Sequence, residues 1–184
     1  AIGREGAKAI GNIATALIKD PRPTAPALIG ALVGFGAGSG GLDGNGGIPD
    51  LDLVAGVGAH RSPITHTVIA GIVAEGLLLA LADLAAEAHG RLPVQHDPIW
   101  DGLAKIGRPL TESLAIGTSA GLAYHLLVDA FVQPGTYHGV PFHMPMEVHQ
   151  TIFAANGVVE GEYAASRLSE SRSVEIIQGG VPAK

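Results

Sequence analysis

His125 and Asp129, two side chains able to bind a metal ion, stand four residues apart in the apolar run AYHLLVDAF. On a helix, positions i and i+4 lie on the same face, about one turn apart. A His and an Asp placed in this way can coordinate one cation, or one can orient the other. The alternative is a buried His–Asp hydrogen bond that only stabilises helix packing.

A pair of carboxylates, Asp50 and Asp52, follows the glycine-rich run of residues 38–47, GSGGLDGNGG. Such a pair offers hard oxygen ligands that can bridge two ions about 3.5 to 4 Å apart. The alternative is an acidic helix start, which the helix dipole favours. The glycine-rich run fits neither phosphate-loop nor dinucleotide patterns. It predicts a loop that leads the backbone into a site.

The segment HRSPITH carries His60 and His66, with Arg61 between them. A His at a helix N-terminus is favoured in its neutral form, which is the form that binds metal. Arg61 offers a two-pronged donor for a phosphate or a carboxylate. The alternative is an ordinary helix start, with Ser62 as N-cap and Pro63 at the first helical position.

Taken together, these three segments place polar groups beside apolar helices, where they need partners, and one shared metal centre would satisfy most of them. Among the other histidines, His138 is the one we expect as a further ligand. The remaining four are expected to be loop or surface residues: His89, His96, His143 and His149.

The amino-acid composition limits which metal ligands and which binding partners are expected. The 184-residue chain has no cysteine, so a metal must rest on His and carboxylate ligands. Zn²⁺ is the first expectation, with Mn²⁺, Mg²⁺ and Fe²⁺ as alternatives. The net charge is −6 and no Lys/Arg-rich run occurs, which argues against nucleic acid as a partner. Because the chain begins with Ala1, we expect a processed chain or a piece of a longer protein.

Helical periodicity without strand patterns predicts an all-α, single-domain bundle over residues 1–184, with the metal site between helices and the loops before them. Glycines at every fourth position from Gly30 to Gly38 predict close approach of another backbone. The expected helices cover residues 4–19, 25–37, 62–89, 99–106, 111–132 and 145–170, with N-caps at Ser62 and Thr111 and an irregular segment at 134–145.

The apolar stretch Val68–Ala82 leaves two environments open. Mean hydropathy is +0.33 and only 15% of residues are charged, which suits either small-residue helices packed in a soluble fold or helices that meet a membrane. Fifteen residues, interrupted by Glu75, fall short of the roughly 20 that a span needs. The stretch therefore predicts a buried central helix.

These segments, in this order, resemble the YdjM-like (LexA-regulated) membrane-bound metal-dependent hydrolases, which show L-P-D-x-D, H-R-G-x-T-H-S and G-Y-x-S-H-x-x-x-D-x-x-T-x-x-G. The resemblance covers about residues 48–141 and is carried by Ile48-Pro49-Asp50-Leu51-Asp52, by His60-Arg61 through Thr65-His66-Thr67, by Ala123-Tyr124-His125 through Asp129-Ala130-Phe131, and by Pro134-Gly135. It implies a metal site of Asp50, Asp52, His60, His66, His125 and Asp129. The H-x-x-x-D helix is also similar to one in zinc-dependent phospholipases C.

The first hypothesis is a metal-dependent hydrolase acting on a small-molecule or lipid phosphoester, with a membrane surface as a potential partner. Asp52, His66 and Arg61 are its expected catalytic residues. A second hypothesis is a membrane-interacting or pore-forming helical module whose His and Asp groups are structural. A third is a metal-stabilised structural domain without an open coordination position.

Overall fold

One long helix, Ile99–Phe131, lies at the centre of the described part of the chain, and the other helices pack against it. The computed structural model describes the backbone of residues 21–170 and the side chains of residues 25–167. The described part is all-helical, with no strand. Its elements in chain order are α1 (Pro21–Ser39), 3-10 helices at Pro49–Ala55 and Val57–Ala59, α2 (Val68–Gly90), α3 (Ile99–Phe131) and α4 (Met146–Glu170). The expected helix at 4–19 lies outside the described residues.

Helices α1 and α3 cross in backbone contact, as the glycine spacing predicted. A Cβ added at Gly34 would lie 2.1 Å from the carbonyl oxygen of Leu114, and one at Gly38 would lie 2.1 Å from that of Thr118. The fit is reciprocal, because a Cβ at Gly117 would lie 2.2 Å from the carbonyl oxygen of Ala31. Only glycine permits this approach, which fixes the end of α1 against the middle of α3.

The predicted N-cap at Thr111 is wrong, because α3 continues from Ile99 to Phe131 without a break. Pro109 lies inside this helix, and the Thr111 hydroxyl donates to the carbonyl of Gly107 (2.9 Å). The two expected helices at 99–106 and 111–132 are therefore one. Packing against α1 on this stretch overrides the local helix-breaking signal.

The predicted start of α2 at Ser62 is also wrong, because the helix begins at Val68 with Thr67 as its N-cap. The Thr67 hydroxyl accepts from the Ile69 amide (3.3 Å), and Asn156 of α4 accepts from the Val68 amide (3.1 Å). Ser62 instead caps a separate turn, accepting from the Thr65 amide (3.3 Å). His66 consequently precedes the helix.

The expectation that Val68–Ala82 is a buried central helix is wrong as well. Helix α2 buries Gly71 and Glu75 and leaves most of its apolar side chains exposed. Two helices of the described part, α2 and α3, are long and apolar enough to cross a membrane. The most apolar 18 residues of α2 have a mean hydropathy of 2.1, and 11% of them are buried; for α3 the mean hydropathy is 1.3, and 67% are buried. The buried central helix is α3.

The hydrophobic core lies where α4 crosses the second half of α3. A Cβ at Gly157 of α4 would lie 3.1 Å from the carbonyl oxygen of Ala123, so these two backbones also run close together. The buried core side chains are Leu122, Leu126, Ala130, Tyr137 and Phe153. This packing holds the last two turns of α3, which carry His125 and Asp129, in a fixed position.

Candidate metal centre

The glycine-rich loop after α1 delivers Asp50 to the end of α3. Gly46 and Gly47 have positive φ values of 91° and 78°, which side chains disfavour. The Gly46 amide donates to Oδ2 of Asp50 in a short hydrogen bond. Asp50 lies in the first turn of the 3-10 helix Pro49–Ala55. Its second oxygen, Oδ1, is left facing the site.

Four ligand atoms converge in what we call the inner cluster: Oδ1 of Asp50, Nε2 of His66, Nε2 of His125 and Oδ2 of Asp129. The two Nε2 atoms lie 3.3 Å apart. From Nε2 of His66, Oδ1 of Asp50 is 3.5 Å and Oδ2 of Asp129 is 3.6 Å away; from Nε2 of His125, the same oxygens are 3.9 Å and 3.5 Å away. Ligand atoms of a tetrahedral zinc ion, with bonds of about 2.0 to 2.1 Å, lie about 3.3 Å apart. The five distances given above, 3.3 to 3.9 Å, are close to that spacing, and Asp50, His66 and His125 form the tighter group of three, whose ligand atoms all lie within 4.8 Å of one another.

Both carboxylate oxygens of the inner cluster lack a hydrogen bond. Oδ1 of Asp50 and Oδ2 of Asp129 are buried and accept none. His66 is fully buried and His125 is 1% exposed. A buried carboxylate oxygen without a partner is costly. A cation bound among these four atoms would remove that penalty for both oxygens at once.

Both imidazoles are held with Nε2 towards the inner cluster. Nδ1 of His125 donates to the carbonyl of Ser39 at the end of α1 (3.3 Å). Nδ1 of His66 faces the hydroxyl of Thr65 (3.0 Å), which itself donates to Oδ2 of Asp52 (2.6 Å). Such outer contacts select the tautomer of a metal-binding His. Burial, and after it the neighbouring His125, lowers the pKa of His66 to about 4, so this ring is neutral near pH 7.

Arg61 orients Asp129 instead of standing free for substrate. Its Nε and Nη2 atoms donate to Oδ1 of Asp129 at 3.1 and 2.8 Å, which turns Oδ2 towards the inner cluster. Arg61 has a φ of 58°, and a Cβ at Gly135 would lie 2.3 Å from its Nε. Of the two partners expected for Arg61, a phosphate or a carboxylate, the structure shows a carboxylate, that of Asp129.

Asp52 and His60 lie next to the inner cluster, Asp52 buried and His60 partly exposed. Asp52 accepts from the Ser62 amide (2.9 Å) and from Thr65. Burial alone would raise the pKa of Asp52, but these two hydrogen bonds, together with His66 and His60, lower it. Nδ1 of His60 is 3.3 Å from Oδ1 of Asp50 and 3.4 Å from Oδ1 of Asp52. His60 joins Asp52 and His66 in a second group of potential ligands.

The net charge of the site favours the binding of a cation. Three carboxylates (Asp50, Asp52 and Asp129) face one guanidinium, that of Arg61, which leaves two negative charges uncompensated when the histidines are neutral. The side chains of His60 and Arg61 are 22% and 21% exposed, whereas those of the inner cluster are at most 9% exposed. A substrate can therefore approach from the side of His60 and Arg61.

Comparison of the chain with models of protein families, with curated proteins and with solved structures finds no match. The interpretation of this site therefore rests on its own geometry.

His138, the expected further ligand, lies behind the site. Its Nδ1 donates to the carbonyl of His60 (2.5 Å) and its amide donates to that of Arg61 (3.3 Å). It belongs to neither group of converging ligand atoms. The structure places it where it supports the backbone that carries His60 and Arg61.

Tyr137 and His149 are supporting residues that the sequence analysis missed. The Tyr137 hydroxyl donates to the carbonyl of His66 (2.7 Å), and the Tyr137 amide donates to Nδ1 of His149 (3.0 Å). His149, expected in a loop or on the surface, is 4% exposed. The helix that carries His149 was predicted at 145–170, but its pattern did not show that its first turn packs His149 against Tyr137. The one sequence signal for Tyr137 is that it directly precedes His138, the expected further ligand.

Proposed function

We propose that this chain is a metal-dependent hydrolase acting on phosphoesters, with lipid-like molecules as its favoured substrates. The observation that carries the proposal is the inner cluster, with its two buried carboxylate oxygens that lack a hydrogen bond. Two imidazole nitrogens and two carboxylate oxygens suit Zn²⁺ best, with Mn²⁺ and Fe²⁺ next, whereas Mg²⁺ prefers an all-oxygen site. The resemblance of residues 48–141 to YdjM-like hydrolases agrees with this proposal.

Within this proposal the chain's own residues have distinct tasks. When bound, a divalent cation would lower the pKa of a water molecule and polarise a scissile phosphoryl group. Arg61 and the Ser39 carbonyl fix the orientation of Asp129 and His125. Asp52 holds the turn of residues 60–66 through its hydrogen bonds. His60 has its Nδ1 turned to two carboxylates, and its side chain is 22% exposed, so it is placed to act as a general base towards a bound water molecule.

The surroundings of the site support a lipid-like substrate. The segments that carry the ligands also carry exposed apolar side chains, and Leu51 stands between the two acidic residues of its 3-10 helix. The exposed apolar residues of these segments are Leu51, Leu53, Val54, Val57 and Ile64, between 44% and 89% accessible. Exposed apolar side chains of this kind are typical of a surface that meets acyl chains or a bilayer.

The proposal is tested by hydrolysis of a generic phosphodiester and of phospholipid vesicles before and after chelation. We expect turnover that a chelator abolishes and that Zn²⁺ restores. Full activity after complete removal of the metal, or no activity towards either substrate in the zinc-loaded protein, would overturn the proposal.

A second candidate is a membrane-interacting helical module whose His and Asp groups are structural. The observation that favours it is α2, which is 23 residues long and whose apolar window is only 11% buried. Partition into liposomes that is unchanged by chelation, in a protein that hydrolyses neither substrate, would favour this alternative over the hydrolase.

A further inference from the structure

A second group of metal-binding side chains lies at the opposite end of α2. His89 is in the last turn of α2, His96 is in the connection to α3, and Asp101 is in the first turn of α3. Nε2 of His89 is 2.9 Å and Nε2 of His96 is 2.8 Å from the same oxygen, Oδ1 of Asp101. The sequence analysis expected both histidines to be unrelated surface residues.

In this group a ring nitrogen of His96 and a carboxylate oxygen of Asp101 face each other as two acceptors. Nδ1 of His96 lies 2.8 Å from the carbonyl of Pro93. A carbonyl only accepts, so Nδ1 carries the hydrogen, and in a neutral ring Nε2 carries the lone pair. That lone pair faces Oδ1 of Asp101, which is also an acceptor. A proton or a metal ion between the two atoms would make this contact attractive.

We propose that His89, His96 and Asp101 form a second metal site, independent of the inner cluster and suited to a borderline divalent ion such as Cu²⁺, Ni²⁺ or Zn²⁺. Two imidazoles and one carboxylate are common ligands of such ions. The three side chains are 31%, 21% and 47% exposed, which leaves room for water to complete the coordination. Opening the group by about half an ångström would bring its atoms to the roughly 3.3 Å spacing of tetrahedral ligands.

The two sites are far apart. His66 precedes the first residue of α2 and His89 is the penultimate residue of that helix. A 23-residue helix with a rise of about 1.5 Å per residue is roughly 34 Å long. Ions at the two sites would therefore bind independently, and the second ion would fasten the end of α2 to the start of α3.

The fluorescence of Trp100 can report metal binding at this second site, because Trp100 is the chain's single tryptophan and adjoins Asp101. Cu²⁺ quenches indole fluorescence only at short range. We expect Cu²⁺ to quench Trp100 in the intact protein and equally in Asp129→Ala, whose inner cluster is damaged. In the double variant His89→Ala/His96→Ala, the Cu²⁺ concentration for half-quenching should rise by more than about tenfold, since even outer-sphere losses weaken metal sites by 10- to 100-fold.

Two further variants make the test sharp. Glu87→Ala removes an exposed carboxylate that pairs with Arg91 nearby and should leave quenching unchanged. Asp101→Asn keeps the size of the side chain but removes the anionic ligand, and it should weaken Cu²⁺ as the double variant does. Equal quenching in all variants, or none in the intact protein, would overturn the proposal and leave a protonated His96–Asp101 hydrogen bond as the explanation.

Discussion

The Nε2 atoms of His66 and His125 face each other at 3.3 Å in a place that solvent does not reach. Each ring has its Nδ1 turned to an oxygen atom, of Thr65 and of Ser39 respectively, so both Nε2 lone pairs point to the same point. Two lone pairs and two carboxylate oxygens without hydrogen bonds repel one another unless a proton or a cation lies between them. Burial alone would lower the pKa of His125, but Asp129 and Asp50 raise it, which shows how strongly this point attracts positive charge. This relationship is the physical basis of the proposed metal centre.

Gly135 provides a test of the role of Arg61. In Gly135→Ala the new Cβ would lie 2.3 Å from Nε of Arg61, so the guanidinium must move and Asp129 loses its orientation. We expect metal affinity, measured by competition with a chromogenic chelator, to fall by about 10- to 100-fold. Gly102→Ala, in open space at the start of α3, is the matched control and should bind metal normally. Unchanged affinity in Gly135→Ala would remove Arg61 from the account.

The crossing of α1 and α3 predicts opposite effects at two neighbouring glycines. Gly34→Ala places a Cβ 2.1 Å from the carbonyl oxygen of Leu114, whereas a Cβ at Gly36 meets nothing within 4 Å. We expect Gly34→Ala to lower the free energy of unfolding by about 3 kcal/mol or more. Gly36→Ala should raise it by up to about 1 kcal/mol, the helix propensity difference. Equal stability of the two variants would show that the helices do not cross at Gly34.

The exposed face of α2 predicts membrane association. Leu77 and Leu81 are 62% and 61% exposed on this helix. Replacing both with Lys should release the protein from liposomes in a flotation assay, because a charged side chain in the acyl region costs about 2.5 to 3.5 kcal/mol. Val94→Lys, at a fully exposed position in the α2–α3 connection, is the control and should leave flotation unchanged. Flotation of the double variant at the level of the intact protein would contradict this role of α2.

Glu160 predicts a loss of stability at higher pH. Burial raises its pKa to about 7 from 4.5; the Ser119 hydrogen bond lowers it in part, and the neighbouring Glu75 raises it further. Because the folded state holds the proton more tightly, its stabilising effect is complete below about pH 4.5 and is lost as pH rises through about 7. The thermal midpoint should fall between about pH 5 and about pH 8, and Glu160→Gln should reduce this fall. A pH profile of Glu160→Gln identical to that of the intact protein would assign the titration elsewhere.

The sequence indicates which residues form the candidate metal centre, but not the hydrogen bonds that orient them. A His and an Asp at i and i+4 in an apolar helix must find partners, and this requirement led to His125 and Asp129. The pairing of Nδ1 of His125 with the Ser39 carbonyl, and of Arg61 with Asp129, joins residues 86 and 68 positions apart. Local patterns carry no information about such contacts.

The errors in the helices have the same origin. Ser62 and Thr111 have the chemistry of N-caps, but Ser62 caps an isolated turn beside Asp52, and Thr111 lies within α3, which packs against α1. The expected burial of Val68–Ala82 failed because apolar composition does not say whether protein or another medium covers a helix. Tertiary packing decided each case.

Metal content of the purified protein tests the central claim most directly. Elemental analysis after dialysis against a weak chelator should find zinc or a related divalent ion in the intact protein. His125→Ala and Asp129→Ala should contain less metal than the intact protein, by the ion of the inner cluster, whereas His143→Ala, which alters an exposed loop residue, should retain the intact protein's content. Folded His125→Ala and Asp129→Ala proteins with the same metal content as the intact protein would contradict the assignment of this site.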